Sequence, residues 1–126
     1  MKQIIATQQA PAAVGPYSQG VLTGDLLFLS GQIPLDPATG QLVGGSISEQ
    51  TERIMANVQA ILREAGCDLE NICKTTIFLT NLDNFKAVNA AYAKFFSSHP
   101  PARSTVGVAA LPLGAEIEIE VVASRG

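Results

Sequence analysis

The sequence predicts an α+β fold: a single mixed β-sheet with two helices packed on one face. Three observations carry this. Two segments place apolar residues at helical spacing and end in helix-stopping residues. Several short apolar runs bounded by Gly, Pro and Asp read as strands. Their order along the chain is β, β-hairpin, α, β, α, β, β, which one sheet with two helices accommodates.

Ile4 and Ile5 form a short opening strand. The segment APAAVGPYSQG (10–20) is small and punctuated by Pro and Gly, so it is a loop. In GVLTGDLLFLSG (20–31), Gly24-Asp25 separates two apolar runs, which marks a hairpin. DPATG (36–40) is a further turn, set within a loop over 32–46. The first helix starts at Ser46, whose spacing from Glu49 fits a capping box. Ile47, Ile54, Met55, Val58, Ile61, Leu62 and Ala65 form its stripe, and Gly66 ends it. CKTTIFLT (73–80) is a strand. The second helix begins near Asp83, with Phe85, Val88, Tyr92, Phe95 and Phe96 on one side, and Pro100 and Pro101 forbid its continuation. RSTVGVAAL (103–111) and AEIEIEVVAS (115–124) are the last strands, joined by PLG. Two helices cover only one face of the sheet. LLFLS and TTIFLT are apolar on both faces, so the second face needs a cover, and another copy of the chain is the simplest one.

At 126 residues the chain suits one domain, 1–126, whose core needs neither disulfide nor metal. Only 15% of residues are charged, below the usual quarter, which again points to surface hidden from water. Net charge is −3, and the eight Lys and Arg are scattered between Lys2 and Arg125. Nucleic-acid binding wants clustered cations, so the pattern argues against it. No apolar run approaches the ~20 residues that span a bilayer. MKQIIATQQAPAAVG lacks the apolar core of a secretory signal, so a cytoplasmic location is expected. Cys67 and Cys73 match no zinc or redox spacing and read as reduced packing residues. The single histidine, His99, sits before two prolines, which leaves no metal site and no Ser-His-Asp triad. No phosphate-binding glycine loop occurs. The remaining chemistry must use Arg, Glu, Tyr, hydroxyl and backbone groups, a set suited to binding a small carboxylate and positioning water.

Side chains alternate along AEIEIEVVA, so Ile117, Ile119 and Val121 share one face and Glu116, Glu118 and Glu120 the other. Arg103 opens the preceding strand. If the two strands pair as an antiparallel hairpin, the row 103, 105, 107, 109 lies beside the glutamates. On residue pattern alone the glutamates are a solvated face, and Arg103 with Glu118 is a surface salt bridge of little worth. Asn89 lies beside the apolar stripe of the second helix, where a buried amide must bond either backbone or a bound group. Tyr17 and Ser18 stand in the loop VGPYSQG. Ser30-Gly31 ends a strand, and Gly31 lets a ligand approach the backbone.

PARSTVGVAAL followed by IEI, with APAAVGPYSQG, LSGQIPLDPATG, KTTIFL and FKAVNAAYAKFF before it in that order, resembles the Rid (YjgF-like) family of reactive-intermediate deaminases. The resemblance implies a homotrimer of chorismate-mutase-like fold with a site at each subunit interface. It implies cofactor-independent hydrolysis of 2-aminoacrylate and 2-iminobutyrate to 2-keto acids and ammonia. By the same resemblance Arg103, Ser30, Gly31 and Asn89 bind substrate, and Glu118, Tyr17 and Thr105 serve the reaction. Glu118 would hold the attacking water, its pKa pulled in opposite directions by Arg103 and by burial. Thr105 stands where relatives often carry cysteine, so only its backbone groups carry over. The alternative is a non-catalytic protein that binds or senses 2-keto acids or other small carboxylates through the same arginine.

Overall fold

The structure is a computed structural model that describes residues 1–126. Six strands form one sheet: β1 (Lys2–Ile5), β2 (Gly20–Thr23), β3 (Leu26–Gln32), β4 (Ile72–Leu79), β5 (Ala102–Gly107) and β6 (Ile117–Ser124). Their order across the sheet is β1-β2-β3-β6-β4-β5. Only β4 and β5 run parallel; every other neighbouring pair is antiparallel. The expected α+β class is what folds, a mixed sheet with two helices, α1 (Ile47–Glu64) and α2 (Phe85–Ala93). Neither helix is long and apolar enough to cross a membrane.

Helix α1 starts where its capping box requires. The Glu49 amide donates to Ser46 Oγ at 3.1 Å, and the Ser46 amide donates to Glu49 Oε1 at 3.0 Å. Ile54, Met55, Val58, Ile61 and Leu62 are completely buried, so the stripe seen in sequence is the packed one. Gly66, at φ 78°, ends it in the left-handed conformation. Helix α2 begins two residues later than expected, because a 3-10 turn over Leu82–Asn84 precedes it. Phe95 and Phe96 lie beyond its last turn and still pack against the core.

The last two strands do not form a hairpin. β5 lies at the sheet edge, parallel to β4, and β6 inserts antiparallel between β3 and β4. The reason is the connection: β4, α2 and β5 form a crossover unit, which pairs its strands in parallel. The chain then leaves β5 at Gly107, turns through Pro112–Gly114 and returns to the sheet centre. There β6 buries Ile117, Ile119, Val121 and Ala123 against the helices.

Leu27, Leu29, Ile77 and Leu79 share that inner face. On the other face the register aligns Val21, Phe28 and Val122 in one row and Val106, Phe78 and Glu118 in another. Ile4, Phe28 and Val106 are 53%, 44% and 40% exposed, so the apolar second face expected from the strand pattern lies bare on a single chain. Cys67 is buried, but Cys73 is exposed, because Ile72 takes the inward position at the start of β4.

Candidate functional site

Glu118 projects from the outer face of β6 towards β3. Pairing between these strands shifts from Leu29↔Val121 to Gln32↔Ile119, so Ser30 and Gly31 lie in an irregularity that re-aims the backbone. A β-carbon on Gly31 would lie 2.8 Å from Glu118 Cδ and 3.1 Å from Cγ. Glycine therefore makes the space the carboxylate occupies. The carboxyl is partly buried and has no ion-pair partner. Burial pushes its pKa above the ordinary glutamate range, and the neighbouring Glu120 charge pushes the same way. The opposing pull expected from Arg103 is absent.

That absence follows from the topology. Arg103 pairs in register with the buried Thr75, on the helix side of the sheet, while Glu118 faces the other side, with β4 between them. The Arg103–Glu118 salt bridge is therefore not formed. The guanidinium carbon instead sits 5.6 Å from the Phe85 ring centroid and 5.3 Å from that of Tyr92, within cation–π range. Arg103 is exposed and has no acidic partner.

Arg103 borders a surface groove of about 510 Å³ lined also by Asn89, Tyr92, Phe96 and Pro101. Asn89 Oδ1 is buried and accepts no hydrogen bond. Of the two readings of this amide, the backbone partner is thereby removed for its oxygen. Thr105 Oγ1, two residues along β5, is likewise buried without a partner.

Tyr17 is 53% exposed, and its hydroxyl accepts from the Val14 amide at 3.3 Å. Its loop is tied to the irregular stretch of β3. The Ser30 hydroxyl donates to the Ser18 carbonyl, and the Ser30 amide donates to the Gln19 carbonyl at 2.9 Å. Gln19 is the residue that sequence reasoning missed. Its buried amide donates to the carbonyls of Thr7, Ala10 and Pro11, and its Oε1 accepts from the Thr7 amide at 2.7 Å. A lone glutamine in a Pro/Gly loop gives no signal of this in sequence. The loop after Gly31 is also held: Asn57 Nδ2 donates to the Leu35 carbonyl at 2.9 Å, and Leu35 bridges Leu42.

The candidate residues thus fall into two groups. Tyr17, Ser30, Gly31 and Glu118 gather around the β3 irregularity, and Asn89, Arg103 and Thr105 gather where α2 meets β5. The first offers a carboxyl with a raised pKa, the second a free guanidinium and unpaired acceptors.

The endoribonuclease L-PSP family matches residues 7–125 of the chain. A Lactococcus lactis protein named as a candidate regulator, AldR, is 55% identical over 121 residues, 96% of each chain. The human 2-iminobutanoate/2-iminopropanoate deaminase is 46% identical over 126 residues, all of this chain and 92% of its own. Among solved structures, Escherichia coli TdcF with bound serine superposes with a TM-score of 0.94 at 42% identity, covering 98% of this chain and 99% of that one. Agreement in sequence and in fold over nearly the whole length leaves one assignment: the chain belongs to the endoribonuclease L-PSP family, also called the YjgF or Rid family.

Proposed function

We propose that the chain hydrolyses 2-imino acids and their enamine tautomers, among them 2-iminobutyrate and 2-aminoacrylate, to 2-keto acids and ammonia. The reaction takes place without a cofactor, at sites shared between copies of the chain in a homotrimer. One observation carries the reading: an unneutralised guanidinium and an unneutralised carboxyl of raised pKa lie on opposite faces of one sheet. In a 2-imino acid the carboxylate is one bond from the reacting carbon, so the cation and the base must meet around one small molecule. One chain holds them apart. A second copy that brings its β5 edge to the Glu118 face completes the set, and a closed ring of three repeats that contact without loose ends. Assembly through this face would also take exposed apolar side chains such as Phe28 out of water.

Arg103 clamps the carboxylate through two parallel N–H···O bonds. Its aromatic supports leave its charge unneutralised, so the clamp is available. Asn89 Oδ1 accepts from the substrate nitrogen. Glu118 takes a proton from a water as the water oxygen bonds to the imine carbon, and returns it to the nitrogen. Glu118 then carries the proton of the new hydroxyl to the same nitrogen as the carbon–nitrogen bond breaks, so ammonia leaves and the keto acid remains, one water consumed for each ammonia released. A carboxyl raised above the ordinary range serves both transfers better than an ordinary one. The Tyr17 hydroxyl and the Thr105 backbone steady the water and the nitrogen. Because such imines hydrolyse unaided, a thousandfold gain suffices, about 4 kcal/mol of barrier. The setting is the cytoplasm, where pyridoxal-phosphate enzymes acting on serine and threonine release these imines.

The test couples a threonine dehydratase to a scavenger that traps surviving imine. Added protein should lower the adduct, and Arg103→Ala should restore it. Undiminished adduct at equimolar wild-type protein overturns the reading. The 55% identity to AldR favours a second one, in which the same pocket binds a 2-keto acid as a signal. Binding of 2-oxobutyrate with no imine turnover would select it.

A further inference from the structure

The manner in which Arg103 is held goes beyond its contact with substrate. An exposed arginine on an edge strand ordinarily samples many rotamers. Here its guanidinium carbon lies 5.3 Å from the ring of Tyr92, and that ring is itself fixed. Tyr92 is only 5% exposed, and its hydroxyl is paired at 2.7 Å with Thr75 Oγ1, which is completely buried. Thr75 is the register partner of Arg103 on the adjoining strand. The Phe96 ring also packs on Tyr92, their centroids 4.8 Å apart. The ring is thus anchored from the helix that carries it and from the strand beside the arginine.

We propose that Tyr92, tethered by Thr75, is the positioning residue that presets the Arg103 guanidinium for carboxylate binding. An acidic partner could orient an arginine too. It would occupy N–H donors and neutralise the charge, and the clamp would be lost. A ring face attracts the cation through its quadrupole and takes no N–H from the donor fork. Preorganisation lowers the rotamer freedom lost when ligand binds, so removing it weakens binding. The buried Tyr92–Thr75 hydroxyl pair has the same logic, since either hydroxyl alone in the core would be unsatisfied. This inference rests on the reading of Arg103 as the carboxylate clamp.

The experiment measures 2-oxobutyrate binding by calorimetry and imine hydrolysis by the scavenger assay. Tyr92→Leu removes the ring and should weaken binding roughly tenfold. KM should rise by a similar factor with kcat little changed, the mark of lost uniform binding. Tyr92→Phe keeps the ring and loses the tether, so it should recover most of that loss while remaining weaker than wild type. In an Arg103→Gln background, with ligand at millimolar concentration, Tyr92→Leu should cause no further loss, because its effect passes through the arginine. Should Tyr92→Leu not fold, Tyr92→Phe and Thr75→Val carry the test, each raising KM by about two- to threefold. Wild-type affinity in the folded Tyr92 variants, or an equal loss in the Arg103→Gln background, overturns the role of Tyr92 alone. Wild-type protein that neither binds 2-oxobutyrate nor hydrolyses imine overturns the functional reading and this inference with it.

Discussion

Gly31→Ala tests whether the space beside Glu118 is functional. The Gly31 backbone lies outside the left-handed region, so alanine meets no backbone strain there. Its β-carbon would nevertheless stand 2.8 Å from Glu118 Cδ, where ordinary contact begins at 3.4 Å. Restoring ordinary contact moves the carboxyl carbon back by about 0.6 Å, the gap between 2.8 and 3.4 Å. Its oxygens lie further out on the lever, so they move about 1 Å. A misplacement of about 1 Å costs on the order of a hundredfold in rate, or ~2.7 kcal/mol of barrier. The expected result is a hundredfold loss of kcat/KM in the scavenger assay with an unchanged circular dichroism spectrum and oligomeric state. Full activity in Gly31→Ala, beside an inactive Glu118→Ala, would show that the carboxyl tolerates displacement and that the spacing argument is wrong.

Three further outcomes are expected. Glu120→Gln removes the like charge that helps raise the Glu118 pKa, and because the base must be unprotonated to take a proton from water, the acid limb of the kcat/KM–pH profile should move to lower pH. A limb that stays fixed or moves up would assign it to another group. Phe28→Asp places a charge on the bare outer face, where a single chain tolerates it, so sedimentation should show smaller species and hydrolysis should fall with assembly. Ile119→Val deletes one methyl from a completely buried position, costing about 1 kcal/mol in urea unfolding, and should leave kcat/KM within about twofold, because residue 119 faces the core while Glu118 faces away.

Local chain geometry encodes a good part of this fold. The reciprocal Ser46–Glu49 cap, the stop at Gly66 and the inward row Ile117, Ile119, Val121 are all set by residues a few positions apart, and each stands in the fold as read. The bare second face was legible for the same reason, since a strand apolar on both sides announces a missing cover whatever its neighbours are. Which strands pair is another matter. Hydrogen-bond partners in a sheet are chosen by connections and packing far along the chain, and the short PLG link made a hairpin of the last two strands look natural. The α2 crossover instead put β5 on the edge, and β6 filled the slot between β3 and β4, where both of its edges are paired. That Arg103 and Glu118 face opposite ways therefore follows from long-range pairing, because the face a side chain takes is set by its strand's register. Tertiary packing likewise places Tyr92 under the guanidinium, and Gly31 makes room for a carboxylate. Those are contacts between residues distant in sequence, and no local period records them.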